Sequence, residues 1–435
     1  MKILRVAGMH YVSAKTIPYL SNPNLHKLPY AEQLKTLFSY HFHYGDSLTH
    51  YLKDLGYECH ETLYDLEPLQ KKWAEEAGYI YSEDSWQNEI LIQQIRAIKP
   101  DILFLQNLQT PPYSLMKQRK ALFPYLKCLI IFRGYPETNQ TLLKYLSLAD
   151  ILLVGSPILE TICKKQGLAP RLFHHYFDER VLGRLQENPQ HECTFFGTSG
   201  LGFDWVHQPR YYYLHELLKE DLIECWLEES SGYLNSWKAP IKRTLERAFS
   251  LAPDRLLEKL QASHRFPSAV HKLAFNSLAR KSSLRNGYPL FPIQKLHRLY
   301  PNQCHHPFFG LEMYQGLKDS RITFNKHSFA ALNTVDNIRL FQATGVGSCL
   351  LTDWGTNLSE LFEIDQEVVT YTSLDECKEK IRFLRDNEKV RAAIGKRGQQ
   401  RTLKDHTAKT RADQLNTMIK NRLNEKIKRA MLPSA

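Results

Sequence analysis

The stretch NIRLFQATGVGSCLLTD, residues 337–353, decides how this chain folds. Apolar residues at helical spacing open it, two glycines (Gly345, Gly347) interrupt it, and a run of four apolar or small residues ends in Thr352-Asp353. The spacing predicts a helix over 336–343, a glycine turn, and a buried strand over 347–352. Glycine permits close backbone approach, and amides at helix starts and glycine turns favour phosphate oxygens. Helix, glycine and strand in this order belong to α/β proteins in general.

The rhythm continues on both sides. Strands are predicted at 3–7, 101–105, 128–132, 150–154, 193–196, 222–227, 321–324 and 367–371. Helices are predicted at 46–55, 89–98, 157–166, 210–219, 358–362, 374–384, 390–403 and 408–427. Such alternation implies parallel sheets covered by helices, with ligands beyond the carboxyl ends of the strands. The organisation expected is two Rossmann-like domains: 1–185, then 186–415 with a basic helical insertion at about 238–300, then a basic C-terminal helix or tail at 416–435. Prolines 240, 253, 267, 289 and 292 are expected to cut the insertion into short helices.

Composition narrows the classes. The chain has 435 residues and 43% hydrophobic content, enough for two or three cored domains without staples. No run approaches the roughly 18–20 apolar residues that span a bilayer, and MKILRVAGMH reads as a first strand rather than a signal peptide. The eight cysteines form no C-x-x-C pair, which fits a reducing, cytoplasmic location. Cys304-His305-His306 reads as a polar loop, and no metal site is expected. The net charge is +11, and residues 238–298 hold 13 Lys/Arg against three acids, an excess of ten. Such a patch attracts anionic partners. An anionic membrane surface is the preferred one, at the inner membrane face. No nucleic-acid-binding motif accompanies the charges, so nucleic acid is not an expected partner.

Residues 337–353 and their surroundings resemble the C-terminal domain of the spore-maturation-type group of GT-B glycosyltransferases. The likeness rests on Asn337, Arg339, Phe341 and Gly347–Asp353; on LSELF at 358–362; on Glu367-Val368-Val369; on Asp375-Glu376; on Arg391, Ile394 and Gly398; and on His406-Thr407, Arg411 and Leu415. Upstream, FGLEMY at 309–314 and SRITFNKH at 320–327 extend it. The resemblance implies a GT-B fold, two facing Rossmann-like domains with a cleft between them. A nucleoside-diphosphate sugar would bind the C-terminal domain and a glycan or lipid-linked acceptor the N-terminal one. It implies no cofactor and no metal, because helix amides and basic side chains neutralise the leaving diphosphate. The donor site expected from it comprises Gly197, Thr198, Arg210, Asn325, Lys326, His327, Asn337, Arg339, Gln342, Gly347 and Ser348. The chain departs from the family at Gln342, where the family has a ribose-gripping glutamate, and at Thr334, where related retaining enzymes carry a second one. A catalytically degenerate nucleotide-sugar-binding protein and a GT-B-fold epimerase are the rival readings. For the base that removes the acceptor proton, His10 at the end of the first strand leads, with Asp46 and Glu137 as rivals and His43 behind them.

Overall fold

The computed structural model describes residues 1–9, 12–43, 45–106, 110–136, 139–200, 208–229, 244–245, 248–262, 267–285, 294–328 and 333–431. It divides into two compact units. The first holds Met1–Gln186, Phe309–Gln315 and Gln400–Ala435, and the second holds Glu187–Phe308 and Gly316–Gln399. The C-terminal helix Ala408–Met431 is therefore no separate tail. Its Ala412, Leu415 and Ile419 are buried in the first unit's core beside Ile3, Ile130 and Phe173.

The first unit is built on six parallel strands: β1 (Lys2–Ala7), β2 (Glu58–Leu63), β3 (Ile102–Gln106), β4 (Cys128–Arg133), β5 (Ile151–Val154) and β6 (Pro170–Leu172). Their order is β2-β1-β3-β4-β5-β6. The central strands are near-continuous apolar runs because both faces are covered, as all-parallel sheets require. One face packs on the cluster containing Ile3, Phe104 and Ile130, the other on that containing Leu4, Leu103 and Ile131.

The second unit repeats the plan with β7 (His191–Thr198), β8 (Glu224–Glu228), β9 (Cys304–His305), β10 (Ser320–Asn325), β11 (Cys349–Asp353) and β12 (Val369–Tyr371), again all parallel. The order is β12-β11-β10-β7-β8-β9. Strand order thus runs outward in both directions from the adjacent pair β7 and β10. This is a topological switch point, where open α/β sheets leave a crevice for ligands beyond the strand ends.

The helix of residues 337–353 starts three residues later than the periodicity predicts, at Arg339, and runs to Val346. Gly345 lies inside it, and Gly347, at φ +91°, ends it. That left-handed backbone suits glycine. A Cβ on Gly395 would come 2.7 Å from the Gly347 carbonyl oxygen, and one on Gly398 2.4 Å from that of Glu367. The helix Glu388–Asp405 is glycine-smooth where it crosses this turn. Of the insertion, the helices Asp254–Ala262 and Ser268–Arg285 are described. The second is 18 residues long, so the prolines do not reduce the insertion to short pieces. Cys304-His305 is edge strand β9, with Cys304 buried, rather than a loop.

Candidate functional site

The carboxyl ends of β7 and β10 bring together most of the expected donor residues. Thr198, the last residue of β7, accepts a hydrogen bond through Oγ1 from Arg210 Nη1 at 3.2 Å. Arg210 Nε donates to the Lys326 carbonyl at 3.0 Å, so one guanidinium ties the two strand ends together. Asn325 closes β10. Its Oδ1 accepts from Asn337 Nδ2 at 2.8 Å, and its Nδ2 donates to Thr352 Oγ1 at 2.9 Å. The Tyr371 hydroxyl donates to the Asn325 carbonyl at 2.7 Å. Arg339 Nη2 reaches back to the Phe196 carbonyl at 3.1 Å, and its guanidinium carbon lies 5.9 Å from the Phe196 ring centre.

Asp353, at the end of β11, organises the next layer. Its Oδ2 meets Lys326 Nζ at 2.8 Å, and its Oδ1 accepts from the His327 backbone N–H at 3.0 Å and from Nδ1 at 2.8 Å. Lys326 also lies 5.1 Å from the Tyr213 ring centre. His327 Nε2 receives the backbone N–H groups of Asp336 and Asn337 at 3.4 and 3.5 Å. With those two N–H groups directed at Nε2, Nδ1 is the side of the ring that donates to Asp353. Burial opposes ionisation of Asp353, but Lys326 and His327 outweigh it and hold the carboxyl well below the ordinary range. The amides that open the quoted segment are thus oriented by a histidine, itself oriented by an aspartate.

Gln342 lies in the helix that starts at Arg339 and is 1% exposed. Two expected donor residues, Gly347 and Ser348, lie elsewhere. Ser348 is buried and its Oγ pairs with Thr323 Oγ1 at 2.8 Å. Gly347 and Ser348 precede β11, whose first residue pairs with Ile322, whereas Asn325 pairs with Thr352. At roughly 3.3 Å per residue, Ser348 and Gly347 sit about 16 and about 20 Å along the strand from Asp353, at the opposite end of the sheet. Gly197 does lie at the ligand edge, next to Thr198. Sequence reasoning missed Asp353, Thr352 and Tyr371 as site residues. The available signal was a polar pair, Thr352-Asp353, closing a buried apolar strand.

Of the proton-acceptor candidates, His10 and Glu137 lie outside the described residues. Asp46 is described, and its carboxylate is engaged by Arg180 Nη2 at 2.7 Å. Among the described residues no group of three or more His, Cys, Asp or Glu is placed to hold a metal ion. Among the same residues no helix is long and apolar enough to cross a membrane.

Residues 255–417 match a family model described as glycosyl transferase-like. Similar solved structures cover nearly all of the chain. One is HepE of Anabaena, in complex with UDP and glucose, at 10% identity over 97% of this chain and 99% of that one, with a TM-score of 0.52. Another is a sucrose-phosphate synthase of Thermosynechococcus elongatus, at 8% identity over 97% and 98%, with a TM-score of 0.51. A third is an alpha-glucosyltransferase in complex with UDP and a 13-mer DNA, at 11% identity over 97% and 99%, with a TM-score of 0.52. No curated protein matches the chain. The fold is GT-B, two Rossmann-like units, and residues 255–417 are similar to glycosyl transferase-like domains. The matched residues contain β10 to β12 and their helices, including Asn325 to His327, Asn337, Arg339 and Asp353.

Proposed function

We propose that the protein transfers a sugar from a nucleoside-diphosphate sugar, most directly a UDP-sugar, to a cell-envelope, surface or lipid-linked glycan. The observation that carries this reading is the cationic, amide-lined end of β7 and β10. Arg210, Lys326 and Arg339 gather at a switch point beside the helix start oriented by His327. Fixed donors and cations of this kind stabilise the charge that develops on a leaving diphosphate without a bound metal. That UDP occupies two of the similar structures supports uridine as the nucleoside. The resemblance to the spore-maturation-type group supports an acceptor on the first unit.

The basic insertion supports a working place at an anionic membrane surface. Leu245, Leu251 and Leu256 are 46%, 86% and 48% exposed there, apolar side chains among Lys and Arg. A donor-binding protein without turnover is favoured by Thr334 and Gln342, which replace two glutamates of the related retaining enzymes.

The test is product analysis with UDP-, GDP-, CDP-, ADP- and dTDP-sugars carrying a labelled sugar. Label appearing on a glycan or lipid-linked acceptor is expected. Binding without turnover of any of the five favours the second reading. Free nucleotide with an altered sugar and no labelled acceptor points to an epimerase or hydrolase and defeats the proposal.

A further inference from the structure

Within the second unit, the described residues of the basic insertion form a helical hairpin, Asp254–Ala262 packed on Ser268–Arg285. Leu257 of the first helix is fully buried, as are Ala274, Asn276 and Ser277 of the second. The turn that leads into the hairpin behaves differently. Leu251 stands there 86% exposed, and Leu256, at the start of the helix, is 48% exposed. The turn around Leu251 is tied down from both sides. The backbone N–H groups of Leu251 and Ala252 donate to the Ala248 and Phe249 carbonyls at 3.1 and 3.0 Å. From the second helix, Arg280 Nη1 donates to Ser250 Oγ at 2.9 Å, and Lys281 Nζ to the Ala252 carbonyl at 2.5 Å. Leucine is thus presented to solvent by a turn whose neighbouring residues are fixed.

The charges beside the turn are sorted by the same contacts. Asp254 is taken up by Lys281 and Arg285, at 2.8 and 2.6 Å. Arg255 and Lys259 are exposed and make no ion pair or hydrogen bond among the described residues. At 3.6 residues per turn, these two cations point directly away from buried Leu257, with Leu256 on one side of them and Glu258 on the other. The outward surface therefore joins a protruding leucine to two free cations, inside a segment, 238–298, that carries 13 Lys/Arg against three acids. A nucleic acid would match the charge but offers nothing to an exposed leucine. An anionic bilayer takes both. Leucine enters the boundary between headgroups and acyl chains, while Lys and Arg lay their stems on apolar surface and keep their charges among the lipid phosphates.

We propose, resting on the membrane-surface reading of the insertion, that residues 250–259 are its inserting tip. Leu251 enters the bilayer interface, and Arg255 and Lys259 bind the phosphates of anionic phospholipid headgroups. One leucine and two cations make a contact that is weak, reversible and sensitive to salt.

The test is sedimentation of the full chain with vesicles of phosphatidylcholine alone and of phosphatidylcholine mixed equally with phosphatidylglycerol. Binding to the mixed vesicles only is expected. Leu251→Ser should weaken it roughly tenfold, the lower end of what burying a leucine contributes, and that ratio should persist as salt is raised. Leu251→Phe should bind as well as wild type. Arg255→Gln with Lys259→Gln should weaken binding roughly 30-fold at low salt, and less as salt screens the charges. Ile80, 90% exposed on the first unit, supplies the control Ile80→Ser. All these side chains are exposed, so thermal midpoints should not move. No measurable loss with Leu251→Ser, or a loss no larger than that of Ile80→Ser, overturns the tip and leaves the membrane-surface reading standing. Failure of the unmodified chain to sediment with either vesicle overturns that reading and the tip together, and retardation of duplex DNA in its place assigns the patch to nucleic acid.

Discussion

Replacing Asp353 by asparagine removes one charge and almost no volume. The side chains of Asp353 and Lys326 are only 15% and 14% exposed, so the ammonium would keep its burial and lose its counter-ion. Removing one partner of a buried pair costs about 3–5 kcal/mol. The asparagine oxygen still accepts from the His327 N–H, which favours the lower end, about 3 kcal/mol. For a unit of this size that corresponds to a fall of about 6–12 °C in Tm. The folded-state pKa of Asp353 is depressed, so its contribution is present above the unfolded value and is lost as pH falls below it. With an unfolded carboxyl near 3.9, the gap in Tm between wild type and D353N should hold from pH 8 to 5 and narrow only below about pH 4. Calorimetry across that range measures it. The double variant K326M/D353N removes the stranded charge as well, and should be less destabilised than the sum of the singles. A Tm change under about 1 °C for D353N, or strict additivity in the double variant, would mean that Asp353 and Lys326 are not a coupled buried pair.

Three further outcomes follow from the geometry. Gly398→Ala drives a Cβ into the Glu367 carbonyl, 2.4 Å away, and should cost at least about 2 kcal/mol in urea unfolding, because the obstacle is backbone. Burial, then the nearby Arg411, lowers the His175 pKa to about 4. The unfolded state, near 6.5, binds the proton first as pH falls, so stability should drop by up to about 3 kcal/mol between pH 7 and 4. His175→Phe should flatten that part of the stability–pH curve. Asn337→Ala leaves the buried Asn325 amide without its reciprocal partner and should cost about 1–2 kcal/mol, with weaker UDP binding by titration calorimetry.

The parallel architecture was legible because its central strands are pure apolar runs between helical segments. β2 was not legible: ECHETL has four titratable residues and lies at a sheet edge, buried only at its last two positions. β6 and β9, three and two residues long, are too short to show a period. In the candidate site, Asn325, Lys326, His327, Asn337 and Arg339 were legible as polar residues next to the end of a strand or the start of a helix. Gly347 and Ser348 were assigned to the ligand because a glycine turn is an amide source. In a parallel sheet, however, the turn from helix to following strand belongs to the opposite edge, and topology overrode the local signal. His41 and Asp178 lie 137 positions apart, and only the folded chain brings them into contact.

Binding of a donor diphosphate by the ends of β7 and β10 can be followed by hydrogen exchange of the full chain with and without saturating UDP. Slowed exchange is expected at the amides of Thr198 to Gly200 and of Asp336 to Arg339, with the first sheet unchanged. A hundredfold excess over Kd should add about 2.7 kcal/mol of apparent stability. Unchanged exchange at both segments with UDP, and likewise with GDP, CDP, ADP and dTDP at millimolar concentration, would contradict it.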